Sequence, residues 1–223
     1  AQGRFAALSK PAGRAVHGPG GLLLDIRAEL GPEVELVHRL DRLTSGVLLV
    51  ALSKEALAVA HAAWRSNVEK TYLAKTRGLP DPPEGEVALP LLENRTGKPK
   101  LLSRALRAAY GEKKAARLLA GQRLTGIPPL PPPGGTVAHP AGRPALTRYR
   151  VREDGLVELS PREGRMHQVR VHLAALGTPL ANDPRYDPRR EEPGPAPFLQ
   201  LARVVWRDPP DGSPSWTWEM MPP

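Results

Sequence analysis

Apolar and polar positions change places along this chain in short runs, punctuated by proline and glycine, and the runs predict strands more often than helices. LSKPAGRAVHG, from Leu8, reads as a strand edge passing into a turn. GGLLLDIRAEL opens a helix. The second half of HRLDRLTSGVLLVALS, which begins at His38, is an apolar run of buried-strand length, with Thr44, Ser45 and Gly46 shaping the turn into it. KEALAVAHAAWRSN, from Lys54, spaces Leu57, Ala60 and Trp64 for a helix. EKTYLAKTRG, from Glu69, predicts a strand with Tyr72 and Ala74 on one face and Thr71, Leu73 and Lys75 on the other. From Pro80 to Gly142 the pattern loosens. Within it, SRALRAAYGEKKAARLLAGQRL, from Ser103, predicts a basic helix broken near Gly111, and PPLPPPGG, from Pro128, an extended connection. ALTRYRVREDGLVELSP, from Ala145, predicts a hairpin around a two-residue turn at Asp154-Gly155. FLQLARVVWRD and SPSWTWEMMPP supply two last strands joined through PPDG. The class is α+β, with a mainly antiparallel sheet and a few helices.

Composition narrows the picture. The 223 residues suit one large domain or two small ones, and 40% hydrophobic residues suffice for a core. The 27 prolines favour a loop-rich surface with short elements. Without cysteine there are no disulfides, thiolate metal sites or cysteine nucleophiles, which fits a reducing cytoplasm. No apolar run reaches the ~18 residues of a membrane span, so no membrane partner is expected. The formal net charge is +9 and the isoelectric point about 10.2. A basic domain commonly meets a polyanion, although an arginine-rich, proline-rich chain reaches the same balance without one.

The candidate chemistry centres on two segments. Asp41 sits between Arg39 and Arg42, just ahead of the apolar run, where side chains are partly desolvated. In EGRMHQVRVHLAALG, from Glu163, a helix would align Met166, Val169, Leu173 and Leu176. Arg170 then falls at the margin of that stripe, roughly 40° from Met166, with Arg165, Gln168 and His172 on the polar side. A strand through Val169, Val171 and Leu173 is also open. A guanidinium beside a buried stripe is either a snorkelling cation or one that needs an anionic partner. Pairing Asp41 with Arg170 would satisfy both, as a structural ion pair or as an ionised carboxylate ready to act as nucleophile or base. The six histidines form no HExxH motif, and no GxGxxG, GxxxxGK[ST] or GxSxG motif occurs. No metal is expected.

HRLDRLTSGVLLVA, EKTYLAKTRG and GRMHQVRVHLAALGTPLANDPRY, in that order, together with LSKPAGRAVHG, resemble the catalytic domain of the RluA family of pseudouridine synthases. The resemblance runs from about Phe5 to the final strands, with a poorly matched middle. It implies a central, mostly antiparallel mixed sheet with flanking helices and a basic cleft, and conversion of uridine to pseudouridine in RNA without cofactor or metal. It implies that Asp41 is the catalytic aspartate, that Tyr72 packs on the target base, and that Arg170 pairs with the catalytic carboxylate. It further implies that Arg39 fills the gap left by a flipped base. Arg42, Lys70, Arg165, His167 and Gln168 are the remaining candidate substrate contacts. The chain departs from the family pattern at Glu163-Gly164-Arg165, where Thr-Gly-Arg is common. It departs again at Gly177-Thr178-Pro179 and Asn182-Asp183, where Gly-His-Pro and Gly-Asp are common.

The expectation is one catalytic domain over residues 1–223, with a basic helix and proline-rich connection inserted at 103–142. Too few residues precede Leu8 for the small RNA-binding domain that many relatives carry ahead of the catalytic one. The expected activity is isomerisation of uridines in ribosomal or transfer RNA by a monomer. A catalytically inactive RNA-binding protein of ribosome assembly is the alternative. A carboxylate-based glycosidase would call for two cooperating carboxylates, and the motifs offer no convincing second one.

Overall fold

The computed structural model describes residues 4–64, 66–96, 99–192, 194–207, 209, 213 and 215–222. Two compact units emerge. One comprises residues 1–75, 152–160 and 196–223; the other comprises Thr76–Val151 and Pro161–Pro195. The fold is α+β with a mixed sheet, and no helix among the described residues is long and apolar enough to cross a membrane.

The first unit is built around β3 (Ser45–Ala51). From Val47 onward the strand is apolar because both faces are covered. Val47, Leu49 and Ala51 enter one cluster with Phe5, Trp206 and Trp216, while Leu48 and Val50 enter another with Leu23, Ile26 and Val34. β1 (Phe5–Lys10) pairs antiparallel with β3, and β2 (Glu35–Leu36) adds a short antiparallel contact. On the other side lies β10 (Leu199–Arg207), parallel to β3. Antiparallel to β10 come β4 (Val68–Ala74) and β11 (Ser215–Glu219), and β9 (Val157–Pro161) pairs with β4. The register of β10 against β4 shifts between Leu201 and Arg203. That extra residue changes the alternation, so Leu201, Val204 and Trp206 all face the same cluster. α1 (Leu22–Leu30) ends at Gly31, whose φ of 107° suits glycine. α2 (Lys54–Ala63) starts at Ser53, whose hydroxyl accepts the Ala56 N–H at 3.2 Å.

The loosely patterned middle folds too. In the second unit β5 (Glu84–Ala88) pairs with β8 (Leu146–Val151), and β6 (Leu91–Asn94) with β7 (Gly135–Ala138). α3 (Pro99–Leu119) carries a non-helical Gly111 at φ 75°, where the sequence pattern breaks. It packs Leu102, Leu106, Ala115 and Leu118 on Leu92. α4 (Gln168–Ala175) settles the helix-or-strand question of its segment. The helix starts at Gln168, so Arg165 and Met166 precede it and belong to no helical stripe.

Three further expectations are corrected. Ser45 and Gly46 are strand residues, not turn residues. Gln168 and His172, placed on a polar side, are as buried as Arg170, because Thr147 of β8 and the Leu146 carbonyl supply their polar partners. The turn at 152–156 is wider than two residues: the Arg152 N–H donates to the Leu156 carbonyl and the Gly155 N–H to the Arg152 carbonyl. Of the expected PPDG link, Pro210, Asp211 and Gly212 lie outside the described residues.

Candidate active site

Asp41 is held by its neighbours in sequence. Val37 and Leu40 are buried in the first cluster, while Arg39 and Arg42 are exposed and Asp41 is half-buried between them. The Asp41 carbonyl accepts the Thr44 N–H at 3.1 Å, closing a tight turn into β3. Lys10, fully buried at the end of β1, fastens that turn from below. Its ammonium donates to the carbonyls of Thr44 (2.7 Å), Pro11 (2.8 Å) and Arg42 (3.3 Å). Burial pulls the Lys10 ammonium down to about 8, against the upward pull of the Asp41 charge and with the downward push of Arg14.

Tyr72 lies on β4 on the same face as Val68 and Lys70, and packs partly buried against the first cluster. Burial, and then the negative charge of Asp41, raise its phenol well above the usual range. The hydroxyl therefore stays protonated, which suits Tyr72 as a flat face and neutral donor and disfavours it as a base. His38 is stacked on Trp64 at 4.8 Å, and its Nε2 accepts the Leu49 N–H at 3.1 Å. Burial, reinforced by the Lys70 charge, holds its imidazole down at about 3, so it is a neutral brace for the segment that carries Asp41. Lys70 is itself buried, with Nζ 5.9 Å from the Trp64 ring centre.

In the second unit, Arg170 on α4 is 3% exposed and forms a two-pronged pair with the buried Asp183, Nε to Oδ2 at 2.7 Å and Nη2 to Oδ1 at 2.8 Å. Asp183 Oδ1 also accepts the N–H groups of Arg185 (2.9 Å) and Tyr186 (3.2 Å). The guanidinium stands 5.0 Å from the Tyr186 ring centre. The Tyr186 hydroxyl accepts the Thr136 N–H at 3.1 Å and shares a 2.7 Å hydrogen bond with His167 Nδ1. His167 caps α4 from the left-handed region at φ 57°, a sparsely populated conformation for a residue other than glycine. Gln168 is committed to the protein: its amide donates to the Leu146 carbonyl (2.9 Å) and Thr147 Oγ1 (3.2 Å) and accepts the Arg165 N–H (2.8 Å). Arg165 Nε donates to the Pro144 carbonyl at 3.3 Å.

A family model described as RNA pseudouridylate synthase matches residues 4–175. The chain belongs to the RNA pseudouridylate synthase family. It is 37% identical over 193 residues to the ribosomal large subunit pseudouridine synthase C of Escherichia coli K12, covering 82% of this chain and 50% of that one. It is 35% identical over 190 residues to the protein so named in Yersinia pestis, covering 80% and 49%. The chain thus spans about half the length of these curated relatives. The fold is shared with human RNA pseudouridylate synthase domain containing 1, at TM-score 0.69 and 23% identity, over 99% of this chain and 80% of that one. It is shared with human RNA pseudouridylate synthase domain containing 4 at TM-score 0.68 and 21% identity, over 99% and 86%.

Asp41, Tyr72 and Arg170 all lie within the residues the pseudouridylate synthase model matches, whereas Asp183 and Tyr186 lie beyond them. Sequence reasoning missed Lys10, His38, Asp183 and Tyr186 as supports of the family motifs. Asn182 offered a signal. It adopts φ 58°, a conformation asparagine tolerates better than most, and so makes the bend that delivers Asp183.

Proposed function

We propose that this family member converts uridine to pseudouridine within RNA, with Asp41 as the reacting carboxylate. The observation that carries the reading is the clamped turn: a backbone fixed by Thr44 and Lys10 carries a half-buried carboxylate whose charge is felt by a protonated Tyr72. The reaction breaks the bond from N1 to the ribose carbon and joins carbon 5 to that same carbon. The hydrogen of carbon 5 leaves as a proton and N1 gains one, so neither redox chemistry nor a cofactor is required. Asp41 either attacks the ribose carbon or removes a ribose proton to give a glycal. Tyr72 offers a face on which the freed base turns. Arg39 and Arg42, exposed on the same segment, meet the RNA, and Arg39 occupies the place of the extruded base. Arg170, by its motif, is a further catalytic residue, and its two-pronged pair with Asp183 holds it in place.

The relatives' names make large-subunit ribosomal RNA the first substrate to try. We place the protein in the cytoplasm with that RNA, acting as a monomer. The test is to incubate an unmodified transcript of that RNA with the protein, digest it to nucleosides and separate them by chromatography. Pseudouridine is expected at defined positions. Its absence from both ribosomal and transfer RNA transcripts overturns the reading and leaves the non-catalytic binder.

A further inference from the structure

The excess positive charge of this chain is concentrated in one element. Between residues 99 and 123 there are seven cations and one carboxylate, Glu112; the remaining chain holds 25 cations against 22 carboxylates. The segment is α3 and the turn that follows it. Its apolar side is spoken for, since Leu102, Leu106, Ala115 and Leu118 are buried with Leu92 and pack against Leu124, Ile127 and Leu130. Before the Gly111 break, Lys100, Arg104 and Arg107 fall within an arc of about 60°, opposite Leu102 and Leu106, by the ~100° turn per helical residue. After it, Lys113, Lys114 and Arg117 fall within about 100°. All six are exposed, as is Arg123.

An ordinary solvated helix face intersperses both signs and saturates them in i, i+4 pairs. This one does not. Arg107 meets Glu112 at 3.0 Å and Arg117 Nε donates to Gln122 at 2.7 Å. Lys100, Arg104, Lys113, Lys114 and Arg123 have no carboxylate partner among the described residues. Two cationic ridges on a kinked, core-anchored helix fit a polyphosphate chain, and the family membership makes RNA the polyanion at hand.

We infer that the exposed face of α3 is an RNA-backbone contact surface, binding phosphates without reading bases. It rests on the proposed RNA substrate and adds a capture element to it. The test uses the full chain, a fluorescently labelled transcript of large-subunit ribosomal RNA and a KCl series. Two variants split the face at Gly111: Lys113→Gln/Lys114→Gln/Arg117→Gln and Lys100→Gln/Arg104→Gln. Glutamine keeps helix propensity close to that of lysine and arginine, so far-UV circular dichroism and the melting temperature are expected to stay at wild-type values. Affinity is expected to drop roughly tenfold for the triple variant, with a salt slope shallower by about 0.7 for each phosphate left without its cation, about 2 in all. The loss should appear in KM rather than kcat. Folded variants that bind the transcript with wild-type affinity and slope overturn the inference, whatever else the helix binds. Failure of the proposed activity is distinguishable, because a wild-type protein that makes no pseudouridine can still lose RNA affinity when these ridges are neutralised.

Discussion

Lys10 has its ammonium directed at the carbonyls of residues 11, 42 and 44, and so works on the carboxylate at 41 without touching a substrate. Lys10→Met should loosen that turn and slow the reaction by roughly 10²-fold, a misplacement effect. It also carries a pH signature. The folded value is about 8 and the ordinary value 10.5, so between them the unfolded chain binds the extra proton and stability rises with pH. Urea unfolding of wild type against Lys10→Met should shift in favour of wild type between pH 8 and 10, by on the order of 3 kcal/mol at full deprotonation. A pH-independent difference counts against a buried, depressed ammonium. In the second unit, Asp183→Ala strips Arg170 of its two-pronged partner and should cost about 3 kcal/mol or more in chemical denaturation. Arg170→Met with Asp183→Leu should recover only part of that stability, because the N–H groups of Arg185 and Tyr186 still lose their acceptor, while the activity stays low. Asp41 and Arg170 were visible in the sequence as charges pressed against apolar runs. Lys10 was not, because only the pairing of β1 with β3 buries it beneath the turn.

At the level of elements, β3 was readable from its apolar run and β1 and β10 as strands, but their places on either side of β3 were not. Gly46 shows why: a Cβ there would lie 2.2 Å from the Leu201 carbonyl oxygen, in a backbone at φ 117°. Glycine is what lets β10 run beside β3 and seat the strand that follows Asp41. Gly46→Ala should lower stability by about 3 kcal/mol or more, read as a fall in melting temperature or loss of soluble protein. The polar side of α4 was misjudged for a related reason. Hydropathy marks Gln168 and His172 as surface positions, yet β8 provides hydrogen-bond partners that make burial tolerable. The kink of α3 was legible from Gly111 alone. β5, β6 and β7 were not, since they are short strands set among prolines and glycines and owe their form to pairing, β5 with β8 and β6 with β7.

For the whole molecule, the order of the motifs disclosed the family, and the family model bears it out. Charge disclosed a polyanion partner in general terms and marked the basic helix from Ser103; the structure adds that the apolar side of α3 is packed and its cations are exposed. The central claim is that Asp41 reacts with a uridine whose carbon 5 loses its hydrogen. The most direct measurement is tritium release to water from an RNA transcript labelled at carbon 5 of uridine, comparing wild type with Asp41→Asn. Wild type should release tritium in proportion to pseudouridine formed, and Asp41→Asn should release it slower by about 10³-fold or more while still binding the transcript. Release by folded Asp41→Asn at the wild-type rate contradicts the claim.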